Sequence, residues 1–148
     1  MRVTVTRLVA VPELDDADLR RAASRALEHG NRADLPLDVV LTDDATLAEL
    51  HGRCLGDPTP TDVMSFDLGD ESSGPQGEVY ASVDRAREVA ARRGVSSARE
   101  LVLYVVHGTL HLCGYDDHDA DEREAMRAAE RVVMDALGYP PDLLPHDE

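Results

Sequence analysis

The apolar run Leu101–Leu112 constrains the fold of this chain more than any other segment, because few of its residues are suited to face water. The run is long enough for a buried helix and too short to cross a membrane. Ser97 and Glu100 stand at capping-box spacing just before it, which predicts where the helix begins. Other elements must enclose this helix, and a chain of 148 residues suits one compact domain with one core.

Shorter patterns on both sides of the run predict the enclosing elements. They indicate an α+β fold, a small mixed sheet of about four strands packed with about five helices, in a single domain 1–148 whose residues 138–148 form a short C-terminal tail. The predicted strands are Met1–Val11, Leu37–Leu41, Asp62–Phe66 and Glu78–Val83. The predicted helices are Asp15–His29, Asp43 or Asp44 to about Arg53, Asp84–Arg93, the buried run, and a last one from Asp119 to Leu137. Loops are predicted at Gly56–Pro60 and Gly69–Gln76.

The charge of the chain limits its partners. A net charge of −15 and a pI near 4.6 argue against non-specific binding to nucleic acid or to an anionic membrane. All 15 basic residues are arginines, which make bidentate contacts with phosphate, so local binding of RNA stays open. Cys54 and Cys113 suggest no disulfide framework, and Cys113 is expected to face the core rather than a metal ion. With no signal peptide and no membrane segment in the sequence, we expect a cytoplasmic protein.

Two histidines one helical turn apart carry the chemistry. His107 and His111, at positions i and i+4, can reach one ion from one face of the helix. Gly114 ends the helix and turns the chain back, so that Asp117 or His118 can supply a third ligand. Three protein ligands leave one position for water, which is typical of catalytic zinc, and zinc-bound water yields hydroxide near neutral pH. Nickel and copper accept the same ligands. The plainer alternative is a pair of core histidines.

These residues also carry a family resemblance. His107–Asp116 matches the signature His-Gly-x-Leu-His-Leu-x-Gly-Tyr-Asp-His up to its last position, and the chain resembles the YbeY family, bacterial metal-dependent endoribonucleases that mature ribosomal RNA. Pro60–Phe66 is similar to the family element Pro-Thr-Asp-Val-Leu-Ser-Phe. Gly77–Ser82 and Ala136–Tyr139 are similar to two further elements. The resemblance covers roughly residues 35 to 139, in the same order.

Two positions depart from the family pattern. The third histidine of the family falls at Asp117, and His118 follows one step later. Asp117 needs no change of register and a carboxylate is a sound zinc ligand, so it is favoured over His118. An arginine of the family falls at Leu55, and Arg53, two residues away, is the candidate to contact substrate phosphate in its place.

The resemblance implies a metal-dependent endoribonuclease that acts on single-stranded regions of ribosomal RNA precursors, in ribosomal RNA maturation and ribosome quality control. RNA is then the main partner, with small-subunit ribosomal proteins as further candidates. Asp62 and Ser65 are expected to line the cleft, with a turn cap and an ordinary strand residue as alternatives, and Glu78 to support the site or to lie exposed. The candidate catalytic residues are His107, Arg53, Asp62 and Ser65, and the candidate metal ligands are His107, His111, Asp117 and His118.

Two other functions stay open on the sequence. The spacing of the histidines and the third ligand parallels that of zinc peptidases, which predicts a zincin-like fold, but the general-base glutamate expected after the first histidine is Gly108. The other alternative is a non-catalytic, metal-stabilised module for ribosome assembly. The acidic surface and the position of Leu55 favour that alternative.

Overall fold

The computed structural model describes residues 3–55, 63–67, 77–116 and 119–139, and these residues confirm the α+β class. They form one mixed sheet of four strands and five helices, as predicted. In chain order the elements are β1 (Val3–Arg7), α1 (Asp16–His29), β2 (Leu37–Thr42), α2 (Asp44–Leu55), β3 (Val63–Asp67), β4 (Gly77–Ser82), α3 (Val83–Arg93), α4 (Ser97–Leu112) and α5 (Ala120–Ala136). The two predicted loops and residues 140–148 of the predicted tail lie outside the described residues.

The sheet is parallel except at one edge. Its strand order is β1-β2-β4-β3, in which β1, β2 and β4 run parallel and β3 pairs antiparallel with β4. One row of paired residues crosses the sheet from Val5 through Val39 and Val79 to Ser65. Residues paired across neighbouring strands share one face, so this row puts Ser65 on the same face as the buried Val39 and Val79.

Helix α4 is the central element of the domain. It contacts α1, α3, α5, β3 and β4, and every side chain of Leu101–Val106 is buried. This enclosure explains why the run is apolar on nearly all sides. None of the helices in the described ranges combines the length and the apolarity that crossing a membrane requires.

The last turns of α4 lie unusually close to the sheet at Gly108. A Cβ atom added there would stand 2.7 Å from Val79 Cγ1, 2.9 Å from Val63 Cγ2 and 3.0 Å from Ser65 Oγ. The Ser65 hydroxyl donates a hydrogen bond of 2.8 Å to the Gly108 carbonyl oxygen. Glycine is therefore required by the close approach of helix and strands.

The predicted start of α4 is wrong by one residue. The N-cap is Ser96. Its backbone is extended, and its side-chain oxygen accepts a hydrogen bond of 3.1 Å from the Arg99 N–H. The Ser97 hydroxyl instead donates to the Glu13 carboxylate at 3.1 Å. Glu100 then lies one position too late for a capping box and is buried in the helix. The predicted start of the last helix at Asp119 is confirmed, since Asp119 is the N-cap of α5 and forms a reciprocal capping box with Glu122.

Candidate metal centre

The two histidines of α4 face each other across one turn of the helix. The ring centroids of His107 and His111 lie 4.8 Å apart, with the ring planes at 78°. Their side chains are 17% and 27% exposed, so both rings are largely buried but reach the surface of the domain. Gly108 and Leu110, which lie between the two histidines in the sequence, are buried, so the other faces of α4 pack against the core.

Helix α5 holds the ring of His107 from behind. Nδ1 of His107 lies 2.5 Å from Oε2 of Glu130, whose side chain is only 4% exposed. Nη1 of Arg127, one turn earlier on α5, donates to both carboxylate oxygens at 3.0 and 3.3 Å. Burial raises the pKa of Glu130, but its hydrogen bond with His107 and its ion pair with Arg127 outweigh this effect and leave that pKa below its ordinary value.

The chain after α4 turns back toward His111. Cys113 forms the C-cap, and Gly114 follows with φ 102°, in the left-handed region that suits glycine. The Tyr115 N–H then donates to the Leu110 carbonyl at 3.1 Å. The Oδ1 atom of Asp116 comes to 3.8 Å from Nδ1 of His111. The bend predicted from Gly114 therefore brings Asp116 back toward His111.

The structure brings together only part of the predicted ligand set. Within the described ranges, no group of three histidine, cysteine, aspartate or glutamate side chains is placed to hold an ion. Asp117 and His118 lie outside those ranges. The pair that is described nevertheless fits a metal, since two imidazoles share one face and one of them has its other ring nitrogen bound to a buried carboxylate.

Of the other predicted site residues, the structure describes the side chains of Ser65 and Glu78. Ser65 reaches α4 through its bond to Gly108, and Glu78 is half-buried and accepts from the Tyr80 hydroxyl at 3.4 Å. Arg53 lies on α2, but its side chain is outside the described part of the structure, as is all of Asp62.

Cys113 faces away from the imidazoles, toward α1. Its free thiol is half-buried, with Sγ 4.0 Å from the Ala26 carbonyl oxygen, and a Cβ at Gly30 would collide with it. Burial raises the pKa of this thiol, which disfavours the thiolate form that binds metals. The expectation that Cys113 packs inward agrees with these contacts.

Glu130 is the site residue that sequence reasoning missed. It lies in the buried stripe of α5 with Met126, Ala129 and Val133. A carboxylate at a buried position is rare unless it is paired. A glutamate within the apolar pattern of the last helix was therefore the sequence feature that could have indicated a paired, functional residue.

Comparisons with known proteins agree with the architecture and with the motif. The sequence model of one family, described as Endoribonuclease YbeY, matches residues 9–138. A protein named Endoribonuclease YbeY from Desulfitobacterium hafniense is 41% identical over 112 residues, which span 69% of this chain and 71% of the relative. Another of that name, from Rhodopirellula baltica, is 38% identical over 128 residues, spanning 85% of this chain and 63% of the relative. The solution structure of TM1509 from Thermotoga maritima has a similar fold, with a TM-score of 0.58 and 24% identity over 89% of this chain and 90% of that one.

Proposed function

Because this chain belongs to the YbeY family of endoribonucleases, we propose that it hydrolyses phosphodiester bonds in single-stranded regions of ribosomal RNA precursors. The observation that carries the proposal is the facing pair of imidazoles on α4, inside the segment that matches the family. A precursor RNA as substrate would place the protein in the cytoplasm, with small-subunit ribosomal proteins as its neighbours.

We propose zinc as the ion, held by His107 and His111 with Asp117 or His118 as the third ligand. The shared helix face and the return of the chain to His111 at Asp116 support this ligand set. When bound, zinc would supply Lewis acidity toward a phosphate oxygen and would acidify a coordinated water. Nickel remains the alternative ion, because imidazole and carboxylate ligands suit it as well.

The other residues of the proposal bind substrate or hold the site together. Arg53 on α2 is proposed to contact a substrate phosphate, because a guanidinium matches phosphate geometry with two parallel hydrogen bonds. Ser65 keeps the last turns of α4 on the sheet through the Gly108 carbonyl. Asp62, directly before β3, stays a candidate for the cleft on the sequence alone.

The geometry at Gly108 weighs against the peptidase alternative. A zinc peptidase needs a glutamate directly after its first histidine. Here that position faces Val79 and Val63, and even a single carbon atom would overlap them. The fold therefore has no room at this position for that general base.

Parallel digestion of labelled single-stranded precursor RNA and of casein tests the proposal. With zinc present, we expect the wild-type protein to cut RNA and not casein, and His107→Ala and His111→Ala to cut neither. Glu124→Gln, on the exposed side of α5, is the control and should retain RNA cleavage. RNA cleavage that survives His111→Ala, or casein digestion that this substitution abolishes, would refute the nuclease assignment.

Elemental analysis of the purified proteins tests the ligand set. Wild type should carry one zinc per chain, and His111→Ala should lose it. Comparison of Asp117→Ala with His118→Ala identifies the third ligand, as the variant with the larger loss of zinc. Wild type prepared with zinc but devoid of metal would refute the proposed ion site.

A further inference from the structure

We propose that Glu130 is a positioning residue, which fixes the ring of His107 with its proton on Nδ1 and its lone pair on Nε2, and that Arg127 holds Glu130 for this role. The proposal rests on the metal site proposed above. It concerns a contact between α4 and α5 that adds two residues to that site without making them ligands.

The position of Glu130 is difficult to explain by packing alone. The residue is 3% exposed and lies in the apolar stripe of α5, where Met126 and Val133 face the core. A buried carboxylate is unfavourable unless its oxygens are satisfied by charged or polar partners. Both oxygens of Glu130 have such partners, since His107 Nδ1 lies 2.5 Å from Oε2 and Arg127 Nη1 lies 3.0 Å from Oε1.

The hydrogen-bonding chemistry determines which ring nitrogen carries the proton. An arginine side chain keeps its charge in proteins, so the Arg127 contact favours an ionised Glu130. An ionised carboxylate can only accept hydrogen bonds. Nδ1 of His107 must therefore be the donor of the short contact, and in the neutral ring the lone pair falls on Nε2.

The same contact restricts the orientation of the ring. Rotation of His107 about its side-chain bonds would break a hydrogen bond to a buried acceptor, which is costly in a low-dielectric interior. A carboxylate behind an imidazole also raises the basicity of the far nitrogen toward a metal. The hydrogen-bond network of Arg127, Glu130 and His107 thus fixes the orientation and protonated nitrogen of one ligand before an ion binds.

Nitrogen chemical shifts of His107 in the zinc-free protein test the proposal without relying on activity. Wild type should show the Nδ1–H form, and Glu130→Gln should show a mixture, because an amide can either accept from or donate to Nδ1. Zinc affinity, measured by competition with a chelator, should fall about 10- to 100-fold in Glu130→Gln. Arg127→Met should weaken zinc binding in the same direction but less. Glu124→Gln, on the exposed side of α5, is the matched control and should match wild type in both measurements.

Two results would overturn the proposal. The first is a wild-type His107 with its proton on Nε2. The second is a folded Glu130→Gln variant whose zinc affinity lies within about twofold of wild type, because losing the hydrogen bond to a metal-ligating histidine should cost about tenfold or more. Should Glu130→Gln fail to fold, Arg127→Met decides by the same two readouts. Wild type that binds no zinc would refute the metal site, and the nitrogen shifts, which need no ion, would then decide alone on the role of Glu130.

Discussion

The close approach of α4 to the sheet predicts that Gly108→Ala destabilises the protein, although alanine is the better helix former. The backbone of Gly108 is helical, so alanine would gain about 1 kcal/mol over glycine from helix propensity. Its Cβ would lie 2.7 Å from Val79 Cγ1 and 2.9 Å from Val63 Cγ2. Branched side chains on paired strands cannot move aside easily, and overpacking of this kind costs about 1–3 kcal/mol.

The two effects together leave a net loss of about 1–2 kcal/mol, since both obstructing valines are stiff and the upper part of the overpacking range applies. For a domain of this size, each kcal/mol lowers Tm by about 2–4 °C. The assays are urea unfolding and thermal unfolding of the zinc-free protein, both followed by circular dichroism, so that no ion contributes to the difference.

A double-mutant cycle with Val79→Ala tests the reasoning. Removing the two γ-carbons of Val79 opens the space that the new methyl group needs, so Gly108→Ala should be less harmful, or stabilising, in that background. The coupling should be at least about 0.5 kcal/mol, as for residues in direct contact. Two results would refute this account of the contact. One is a Gly108→Ala protein at least as stable as wild type, and the other is a loss of stability on Gly108→Ala that is the same in the wild-type and Val79→Ala backgrounds.

Three further predictions follow from the caps, the ion pairs and the proposed site. Ser96→Ala should lower stability by about 1 kcal/mol through loss of the N-cap, and Ser97→Ala should lower it less; equal effects in thermal unfolding would contradict the assignment of the cap. The hydrogen bond from Arg87 lowers the pKa of Glu13 from 4.5 to about 2, so the pair stabilises the fold above about pH 4.5 and loses this effect as the pH falls toward 2. Glu13→Gln should therefore flatten the dependence of stability on pH over that interval, and an unchanged profile would count against the pair. Zinc at about 100 times its dissociation constant should stabilise wild type by about 2.7 kcal/mol and His111→Ala by much less, as measured by Tm with zinc and with chelator; equal shifts would count against the site.

Local signals in the sequence predicted the elements because caps and periodicity are encoded within a few residues. The box from Asp119 to Glu122 and the left-handed Gly94 after α3 are of this kind. The start of α4 was missed because two adjacent serines present the same local signal. The Ser97 hydroxyl donates a hydrogen bond to Glu13, 84 residues earlier in the chain, and no local sequence pattern could predict that contact.

Long-range arrangements were beyond the sequence for the same reason. The pattern predicted the strands but not the order β1-β2-β4-β3, which depends on pairing between distant segments. In the candidate site, the histidine spacing predicted that His107 and His111 would face each other, because i and i+4 share a helix face. Glu130 comes from another helix, and its contact with His107 required knowing how α5 packs on α4.

The burial of α4 also limits how this site can adapt. The two imidazoles stand on the helix that α1, α3, α5, β3 and β4 contact, so the core fixes the separation of the two rings. Changes that alter substrate preference are therefore best sought outside α4. Attempts to retune the site through the helix itself would trade folding stability for each adjustment.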